Sequence, residues 1–465
     1  MISLDDKSAL KFASEAAIAW RDDVTNQQIE AYDSYEEALA RFGGAFPQTG
    51  LPPKQTIMAL VENAEPGLFS YVHPRFLGWV VGGSDPVGVA ADWLAQAWGQ
   101  NAPSASVTPA AAAAEEAAGC WLVDALRLPS ETGFGFTTGA TMANVICLAA
   151  ARNALLREKG WDVEADGLFG GPEIQVILGA EAHASVFMAL QLLGFGSLRV
   201  HKVPVDSQGR MLPDAFVSMI DRLEGLVLVI AQAGHINSGD FDPFEEIIAA
   251  ARTRNAWIHV DAAFGIWVRL SEARAGRTKG LELADSWAVD GHKWLQVPYD
   301  CGLALVRDKQ ALTRAMTMSG SYLALSQFRD PMSTTPELSR RARGFAVWAI
   351  MRHLGRDGLY ELVERFCSVA EEIAERLEKV PGIRVMNEVA SNQVTFLCHR
   401  DGQPDDQLTT HLLARLRSGG VCYPSDAIWK GHRIVRMSVC SGAVSAADAA
   451  LIADAVAKEA RELFS

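Results

Sequence analysis

The chain lacks the cysteine patterns from which disulfide-linked or zinc-dependent proteins are built. Its 465 residues contain seven cysteines, an odd number, and none of them forms a CxxC pair. A disulfide framework or a structural zinc site is therefore not expected, and we predict no metal site. We expect buried, reduced cysteines of the kind that is common in cytosolic proteins.

Long apolar runs and an excess of positive charge are also missing. No apolar run reaches the length that spans a bilayer, and the N-terminal MISLDDKSAL has acidic residues where a signal peptide is basic. The formal net charge is −14, which makes nucleic-acid phosphates and anionic membranes poor partners. We expect a cytoplasmic protein with no nucleic-acid and no membrane partner.

The sequence also lacks the GxSxG, HExxH and GxxxxGK[ST] motifs, so common hydrolase and nucleotide-binding readings have no support. What is present suits a large globular protein. Hydrophobic residues make up 49% and charged residues 21% of the chain, which allows a large packed core. The length favours two or three lobes rather than one ordinary domain.

The apolar pattern divides the chain into three parts. Residues 1–90 are predicted to be helical and then irregular, because prolines interrupt the second half. Residues 91–315 alternate short β-branched runs with amphipathic segments, which is typical of a largely parallel, doubly wound sheet. The predicted strands are Ile174–Leu178, Leu226–Ile230, Trp257–Val260, Ser286–Val289 and Leu303–Val306, and two of the predicted helices are Ala143–Arg157 and Pro243–Thr253.

Residues 316–465 are predicted to form a long helix followed by a smaller α/β portion. The helix covers Ser339–Val380, and a closing helix covers Ala446–Phe464. Two apolar runs, Thr395–Cys398 and Ile434–Val439, are predicted strands.

The first segment with chemical potential is the glycine-rich stretch from Gly133 to Asn144, which directly precedes a helical segment. Small residues let backbone N–H groups approach an anion, and a helix N-terminus offers unpaired donors and a positive dipole end. The hydroxyl of Thr141 adds a further donor. An ordinary turn before a helix explains the same pattern, so this segment decides nothing by itself.

Two further segments follow predicted strands. Asp261, in HVDAAFG, comes at a strand end, where α/β sheets place ligands, and its carboxylate suits the cationic ring nitrogen of pyridoxal 5′-phosphate (PLP). Lys293, in DGHKW, supplies an amine of the kind that forms Schiff bases with carbonyl compounds. A helix-capping aspartate and an ordinary loop lysine are the alternatives for each segment alone.

The fourth segment, AEAHAS, contains His183, whose imidazole suits stacking on a flat heteroaromatic ring, although a structural histidine is the alternative. In their order, FTTGATMAN, AEAHAS, HVDAAFG and DGHKWL resemble the PLP-dependent group II amino acid decarboxylases, of aromatic-amino-acid, glutamate and tyrosine decarboxylase type. The similarity continues through HPRFLG at 73–78, YDCGLALVR at 299–307, SRRARGFAVWA at 339–349 and WKGHRIVRMSV at 429–439.

The resemblance implies PLP fold type I, the aspartate-aminotransferase-like fold. In that α/β fold a large domain has a mostly parallel sheet between helices, and a smaller C-terminal α/β domain follows it. It also implies a homodimer with active sites at the interface, PLP as the cofactor and an amino acid as the small-molecule substrate. The implied catalytic residues are Lys293, which forms the Schiff base, Asp261, which pairs with the ring nitrogen, and His183, which stacks on the ring.

A set of cofactor and substrate contacts is also predicted. The resemblance implies all of them except His235 and Asn237, which belong to a segment that departs from the family pattern. The predicted cofactor contacts are Gly139, Ala140, Thr141, His183, Asn237, Asp261, Ala263, His292 and Lys293. The predicted substrate contacts are His73, Phe76, Trp79 and His235.

Two departures from the family pattern bear on the reaction. Aromatic-amino-acid decarboxylases carry a loop tyrosine that delivers a proton, whereas the corresponding stretch 324–338, ALSQFRDPMSTTPEL, contains no tyrosine; Tyr322 precedes it and matches a different position. The usual Gly-Thr-Thr segment reads GHINSG, so His235 and Asn237 are candidates for replacing the acid or contacting substrate. For Asn237, a hydrogen-bonded turn is an equally good reading.

The sequence therefore predicts a PLP-dependent lyase of amino acid metabolism that decarboxylates an L-amino acid to an amine and CO2. An aromatic substrate is favoured because Phe76, Trp79, Phe264 and Trp429 suit an apolar pocket, while Arg75 and Lys430 keep an acidic substrate open. The alternatives keep the cofactor: an aldehyde-forming oxidative decarboxylase, a carbon–carbon lyase on a β-hydroxy amino acid, or an aminotransferase. A PLP-binding protein without turnover is the alternative outside enzymes.

Overall fold

The computed structural model describes residues 3–318 and 328–464. Its α-helices are α1 (Leu4–Asp22), α2 (Tyr35–Phe42), α3 (Pro53–Ala64), α4 (Pro86–Ala97), α5 (Pro109–Ala125), α6 (Ala140–Glu158), α7 (Val163–Asp166), α8 (Ala184–Leu192), α9 (Pro213–Ile220), α10 (Phe244–Arg252), α11 (Lys309–Met316), α12 (Gly344–Leu377), α13 (Asp406–Ser418) and α14 (Ala446–Phe464).

Its strands are β1 (Phe76–Leu77), β2 (Gly133–Thr137), β3 (Ile174–Gly179), β4 (Val200–Val203), β5 (Leu226–Gln232), β6 (Trp257–Asp261), β7 (Ser286–Asp290), β8 (Gly302–Val306), β9 (Ile383–Val385), β10 (Gln393–Arg400), β11 (Gln403–Pro404), β12 (Tyr423–Trp429) and β13 (His432–Ser438). All seven strands that the sequence predicted are present, with ends that differ by at most a few residues. Tyr322 and residues 324–327 of the tyrosine-free stretch lie outside the described residues.

The large sheet has the strand order β2-β8-β7-β6-β5-β3-β4. Five neighbouring strands are parallel: β7, β6, β5, β3 and β4. Strand β8 runs antiparallel to both β7 and β2. The central strands are buried along their length, as expected for a sheet covered by helices on both faces. The predicted fold class, an α/β fold with a mostly parallel sheet, is confirmed.

One local prediction is corrected by the structure. The glycine-rich stretch that begins at Gly133 is an edge strand, β2, and only Thr138 and Gly139 form the turn before α6. The glycines serve close packing: a Cβ on Gly135 would lie 2.4 Å from the Thr334 carbonyl oxygen. Backbone atoms of Thr334 fill that space. The lack of a side chain on Gly135 therefore permits a strand here rather than a longer turn.

The second sheet has the order β1-β12-β13-β10-β11, with β9 also pairing with β10. Its first strand comes from the N-terminal part of the chain, because Phe76 and Leu77 pair in parallel with the start of β12. The predicted long helix is α12, and it is interrupted at Gly355, which adopts a φ of 60°. Among the described residues, no helix is long and apolar enough to cross a membrane.

Candidate active site

The candidate site lies at the edge of the large sheet where its parallel strands end. Gln232, Asp261 and Asp290 are the last residues of β5, β6 and β7, and the loop after β3 leads to His183. Parallel strands bring their carboxyl ends to one edge, so residues about 30 positions apart in sequence become neighbours. Among the residues lining a small cavity here are His183, Asp261, Ala263, Phe264 and Lys293.

Lys293 projects from a tightly held turn after β7. Its Nζ lies 2.9 Å from Asp290 Oδ2 and 5.7 Å from the centroid of the Phe264 ring. The turn is anchored because the backbone N–H groups of Gly291 and His292 both donate to the Cys301 carbonyl. The lysine amine is therefore presented to the cavity from a fixed backbone, with only part of its side chain accessible.

Asp261 is a buried carboxylate beside two basic groups. Burial raises the pKa of this carboxyl, and the positive charges of His183 and Lys293 oppose that effect. Within residues 3–318 and 328–464, its Oδ1 accepts only a long hydrogen bond, 3.4 Å, from the Ala263 N–H. A carboxylate in this setting gains most by pairing with a cation that enters the cavity.

His183 begins the helix that follows β3. Its Nδ1 caps α8 by accepting from the Ser185 N–H at 3.2 Å, and it lies 2.8 Å from the Ser185 hydroxyl. The cap fixes the orientation of the imidazole, because a ring held at Nδ1 cannot turn freely about χ2. The predicted partners His183, Asp261, Ala263 and Lys293 are therefore brought together by the fold.

Four of the predicted cofactor contacts lie near the start of α6 and form the predicted phosphate cradle: Gly139, Ala140, Thr141 and His292. Gly139 supplies no side-chain cap, and the first helical N–H, that of Ala140, donates to Asp290 Oδ1 at 2.6 Å. The Nε2 of His292 lies 3.3 Å from the same carboxylate oxygen, and its ring stacks on Tyr299 with centroids 4.3 Å apart. Thr141 is exposed on the first turn of the helix.

Comparisons with known proteins agree on one family. The model of the pyridoxal-dependent decarboxylase conserved domain matches residues 37–399. Aromatic-L-amino-acid decarboxylase of Bacillus atrophaeus is 30% identical over 362 residues, which cover 76% of this chain and 73% of that protein. The chain belongs to the pyridoxal-dependent decarboxylases.

Two further relatives show how broad the family is. The acidic amino acid decarboxylase GADL1 of Xenopus tropicalis is 29% identical, and the match covers 72% of this chain and 66% of that protein. A crystal structure of Oryza sativa TDC with PLP and tryptamine superposes with a TM-score of 0.92 at 22% identity, covering 100% of this chain and 99% of that one. This decarboxylase is thus a PLP-dependent carboxy-lyase acting on an amino acid.

The residues of this decarboxylase fit PLP at its aldehyde and its ring nitrogen, and with one exception at its phosphate. Lys293 offers an amine for the aldehyde, Asp261 a buried carboxylate for the ring nitrogen, and the start of α6 a helix N-terminus for the phosphate. The small side chain of Ala263 leaves room for a flat ring. Asp290 is the exception, because it places a carboxylate among the groups that suit a phosphate.

His235 and Asn237 are used by the decarboxylase for its own packing. The Nε2 of His235 lies 3.1 Å from Glu181 Oε2, and its Nδ1 lies 3.3 and 3.2 Å from the N–H groups of Asn237 and Ser238. Both ring nitrogens are thus engaged in contacts within the protein. The Oδ1 of Asn237 accepts from the Arg436 guanidinium at 3.2 Å.

The N-terminal segment reaches the lysine turn. A Cβ on Gly82 would lie 2.3 Å from the Lys293 carbonyl oxygen, so the two backbones touch. His73 is buried, and burial together with the charge of Arg75 lowers its pKa to about 4. Phe76 is 1% exposed and stacks on Tyr423, whereas Trp79 is 46% exposed.

Sequence reasoning assigned no role to Arg436. It lies on β13, is almost fully buried, and its Nε has no hydrogen-bond partner among the described residues. Burial lowers its pKa to about 10, and Asp426 opposes this. The signal was present in the sequence, because a single arginine interrupts the apolar run IVRMSV that forms this strand.

Proposed function

We propose that this decarboxylase acts on an L-amino acid with an aromatic side chain and releases an amine and CO2. The observation that carries the proposal concerns Arg75 and Lys430, the two cations that an acidic substrate would need as partners. Arg75 donates to Asp448 at 2.9 Å, and Lys430 donates to Glu181 at 2.6 Å. Each cation already has a carboxylate partner, so an acidic side chain would have to displace a protein anion.

Aromatic surface beside the lysine turn supports the same substrate class. Trp79 lies three residues before the close contact with Lys293, and its indole is half exposed while packing on Tyr423. Phe264 lines the cavity next to Lys293. An aromatic side chain gains by covering such surface, because burial of each ring removes a large apolar area from water.

The proposed mechanism assigns each polar group a separate task. Bound PLP supplies the electron sink for the electron pair left when the α-carboxylate departs as CO2. Lys293 anchors the cofactor through its amine, and Asp261 holds a proton at the ring nitrogen. His183 covers one face of the ring, and Arg436 orients the substrate carboxylate from its buried position on β13.

We also propose that the decarboxylase is a cytoplasmic homodimer. The helices α1, α2 and α3 contain no buried residue, although they carry Leu10, Ile18 and Phe42 on their surfaces. Apolar side chains that one chain leaves uncovered are typical of a surface that a second copy covers.

Product analysis by mass spectrometry tests the proposal. The PLP-loaded enzyme is incubated with a panel of aromatic, acidic and basic L-amino acids, with Lys293→Ala as the inactive control. We expect amines from the aromatic members and the highest kcat/KM for one of them. Amine formation from acidic members alone would contradict the aromatic assignment while leaving the decarboxylase family intact.

An aldehyde-forming reaction is the second candidate, and the tyrosine-free stretch 324–338 favours it. An aldehyde accompanied by oxygen uptake and hydrogen peroxide would identify oxidative decarboxylation. Glycine together with an aldehyde from a β-hydroxy amino acid would instead identify lyase chemistry, and dependence on an added keto acid would identify an aminotransferase.

A further inference from the structure

A carboxylate occupies the centre of the phosphate cradle. Asp290 is buried at the end of β7, and its Oδ1 accepts from the Ala140 N–H at 2.6 Å and lies 3.3 Å from His292 Nε2. Its Oδ2 lies 2.9 Å from Lys293 Nζ. One side chain therefore contacts two phosphate donors and the amine that receives the cofactor aldehyde.

The carboxylate also takes the place of a helix cap. Gly139, the residue before α6, makes no side-chain hydrogen bond to the helix. Asp290 supplies the missing acceptor from a different element, so the positive end of the α6 dipole already faces an anion. A phosphate bound at this helix end must share its donors with that anion.

Few cations are available to offset a second negative charge. Among the described residues, the groups that interact electrostatically with Asp290 are His292 and Lys293 on its own turn, His183 before α8, Asp261 on β6, Tyr299 and Cys301. Asp300 acts on His292 and is paired with Arg343, and Arg436 acts on His183. Two of these groups are themselves carboxylates. Two anions in a buried site repel each other strongly, and such sites commonly respond by binding a proton.

We propose that Asp290 is a built-in counter-anion of the cradle, which weakens the hold of this decarboxylase on phosphorylated cofactor. The inference concerns cofactor affinity and is independent of the proposed substrate. An asparagine at this position would keep the acceptor for the Ala140 N–H and remove the charge.

The charge state of the Asp290 carboxyl follows from its surroundings. Burial alone raises the pKa of Asp290, but Lys293, His292 and the Ala140 N–H outweigh it, so the carboxyl is ionised at neutral pH. A neighbouring phosphate raises that pKa again by like-charge repulsion, and engagement of the lysine amine removes part of the opposing charge. A shift of about one pKa unit leaves the carboxyl ionised at neutral pH, so a bound phosphate lies beside a full negative charge.

The test compares two ligands on the apo chain and its Asp290→Asn variant. PLP carries the phosphate, and pyridoxal carries the same ring and aldehyde without it. We expect Asp290→Asn to bind PLP about tenfold tighter than the wild type near pH 8, because removing a like charge is worth about one pKa unit. Loss of the Asp290–Lys293 ion pair acts on both ligands, so the gain in affinity is expected to be about tenfold larger for PLP than for pyridoxal.

A matched control is Asp285→Asn, which removes a carboxylate at the opposite end of β7 that pairs with Arg252. It should leave the PLP affinity unchanged. Thermal unfolding with inorganic phosphate gives a second readout, and phosphate should stabilise Asp290→Asn more than the wild type. Equal changes for PLP and pyridoxal, weaker PLP binding or no change in Asp290→Asn would each overturn the proposal and make Asp290 a purely structural cap.

Discussion

The charges of single buried residues carry the proposed chemistry. Lys293 and Asp261 line one cavity, yet each is supported by a different strand. Among the described residues, Lys293 pairs with one carboxylate and Asp261 accepts only a long hydrogen bond, and such buried groups are costly to maintain without a further partner. That cost indicates groups kept for a ligand, and it makes their substitutions informative.

Replacement of Lys293 by alanine is expected to abolish covalent attachment of PLP and to lower kcat by about 10³-fold or more, as for loss of a nucleophilic amine. Trapping with borohydride followed by mass spectrometry checks the attachment. Lys279→Ala removes an exposed lysine that pairs with Glu245 and serves as the control. A borohydride-stable adduct in Lys293→Ala would show that another residue carries the cofactor.

Replacement of Asp261 by asparagine is expected to lower kcat about 10²- to 10³-fold, because a neutral amide no longer stabilises a protonated ring nitrogen. KM should change less than kcat. Asp261→Glu keeps the charge and is expected to recover part of the rate. Steady-state kinetics on the best substrate measure all three, and an Asp261→Asn enzyme with wild-type kcat would remove this residue from the mechanism.

At the scale of elements, two polar networks hold segments of the site in place. Glu181, in the loop after β3, accepts from Trp429 at 2.8 Å and Lys430 at 2.6 Å on the β12–β13 hairpin. Glu115 on α5 pairs with Arg340 at 2.7 Å and Arg329 at 2.9 Å, and neither Glu115 nor Arg340 is exposed. The first network is partly exposed and the second is buried, so they should respond differently to substitution.

The Glu181 network is expected to stabilise the fold at neutral pH and to lose that effect in acid. Burial alone raises the pKa of Glu181, but hydrogen bonds from His235, Lys430 and Trp429 outweigh it and lower the pKa to about 2. This stabilisation is complete above the unfolded pKa of about 4.3 and is lost as the pH falls towards 2. The unfolding midpoint of Glu181→Gln should therefore lie below that of the wild type at pH 7 and approach it in acid.

Replacement of Glu115 by glutamine is expected to destabilise the fold by about 3–5 kcal/mol, since it leaves the buried Arg340 charge without a partner. Chemical unfolding measures the change. The control is Glu372→Gln, which breaks an exposed pair with Arg376 and should cost less than about 1 kcal/mol. Equal costs for the two variants would show that the buried network is not strongly coupled.

At the scale of the whole molecule, the uncovered helices predict the state of assembly. Light scattering is expected to give twice the mass of one 50.2 kDa chain. The double variant Leu10→Glu, Ile18→Glu places charges on an exposed apolar face of α1 and should shift the protein towards the monomer. Lys11→Ala, on the same helix, is the control, and a monomeric wild type would contradict the proposed dimer.

The sequence alone determined the family, the cofactor and most of the large sheet. Short segments such as HVDAAFG and DGHKWL carry their chemistry in adjacent residues, and strand periodicity is a local property. The same reasoning failed at Gly133–Thr137, where the glycine pattern indicates a turn but Gly133 packs against Lys309 and Gly135 against Thr334 in a strand. Packing between distant segments has no local signal there.

Only the tertiary structure decided which polar groups are free and which are already paired. The contact between Ala140 and Asp290 joins residues 150 positions apart, and the contact between Lys430 and Glu181 joins residues 249 apart. Such pairs form because the strands end at one edge of the sheet and the β12–β13 hairpin packs against it. Local sequence encodes the type of each side chain, but its partner, and hence its charge balance, depends on the fold.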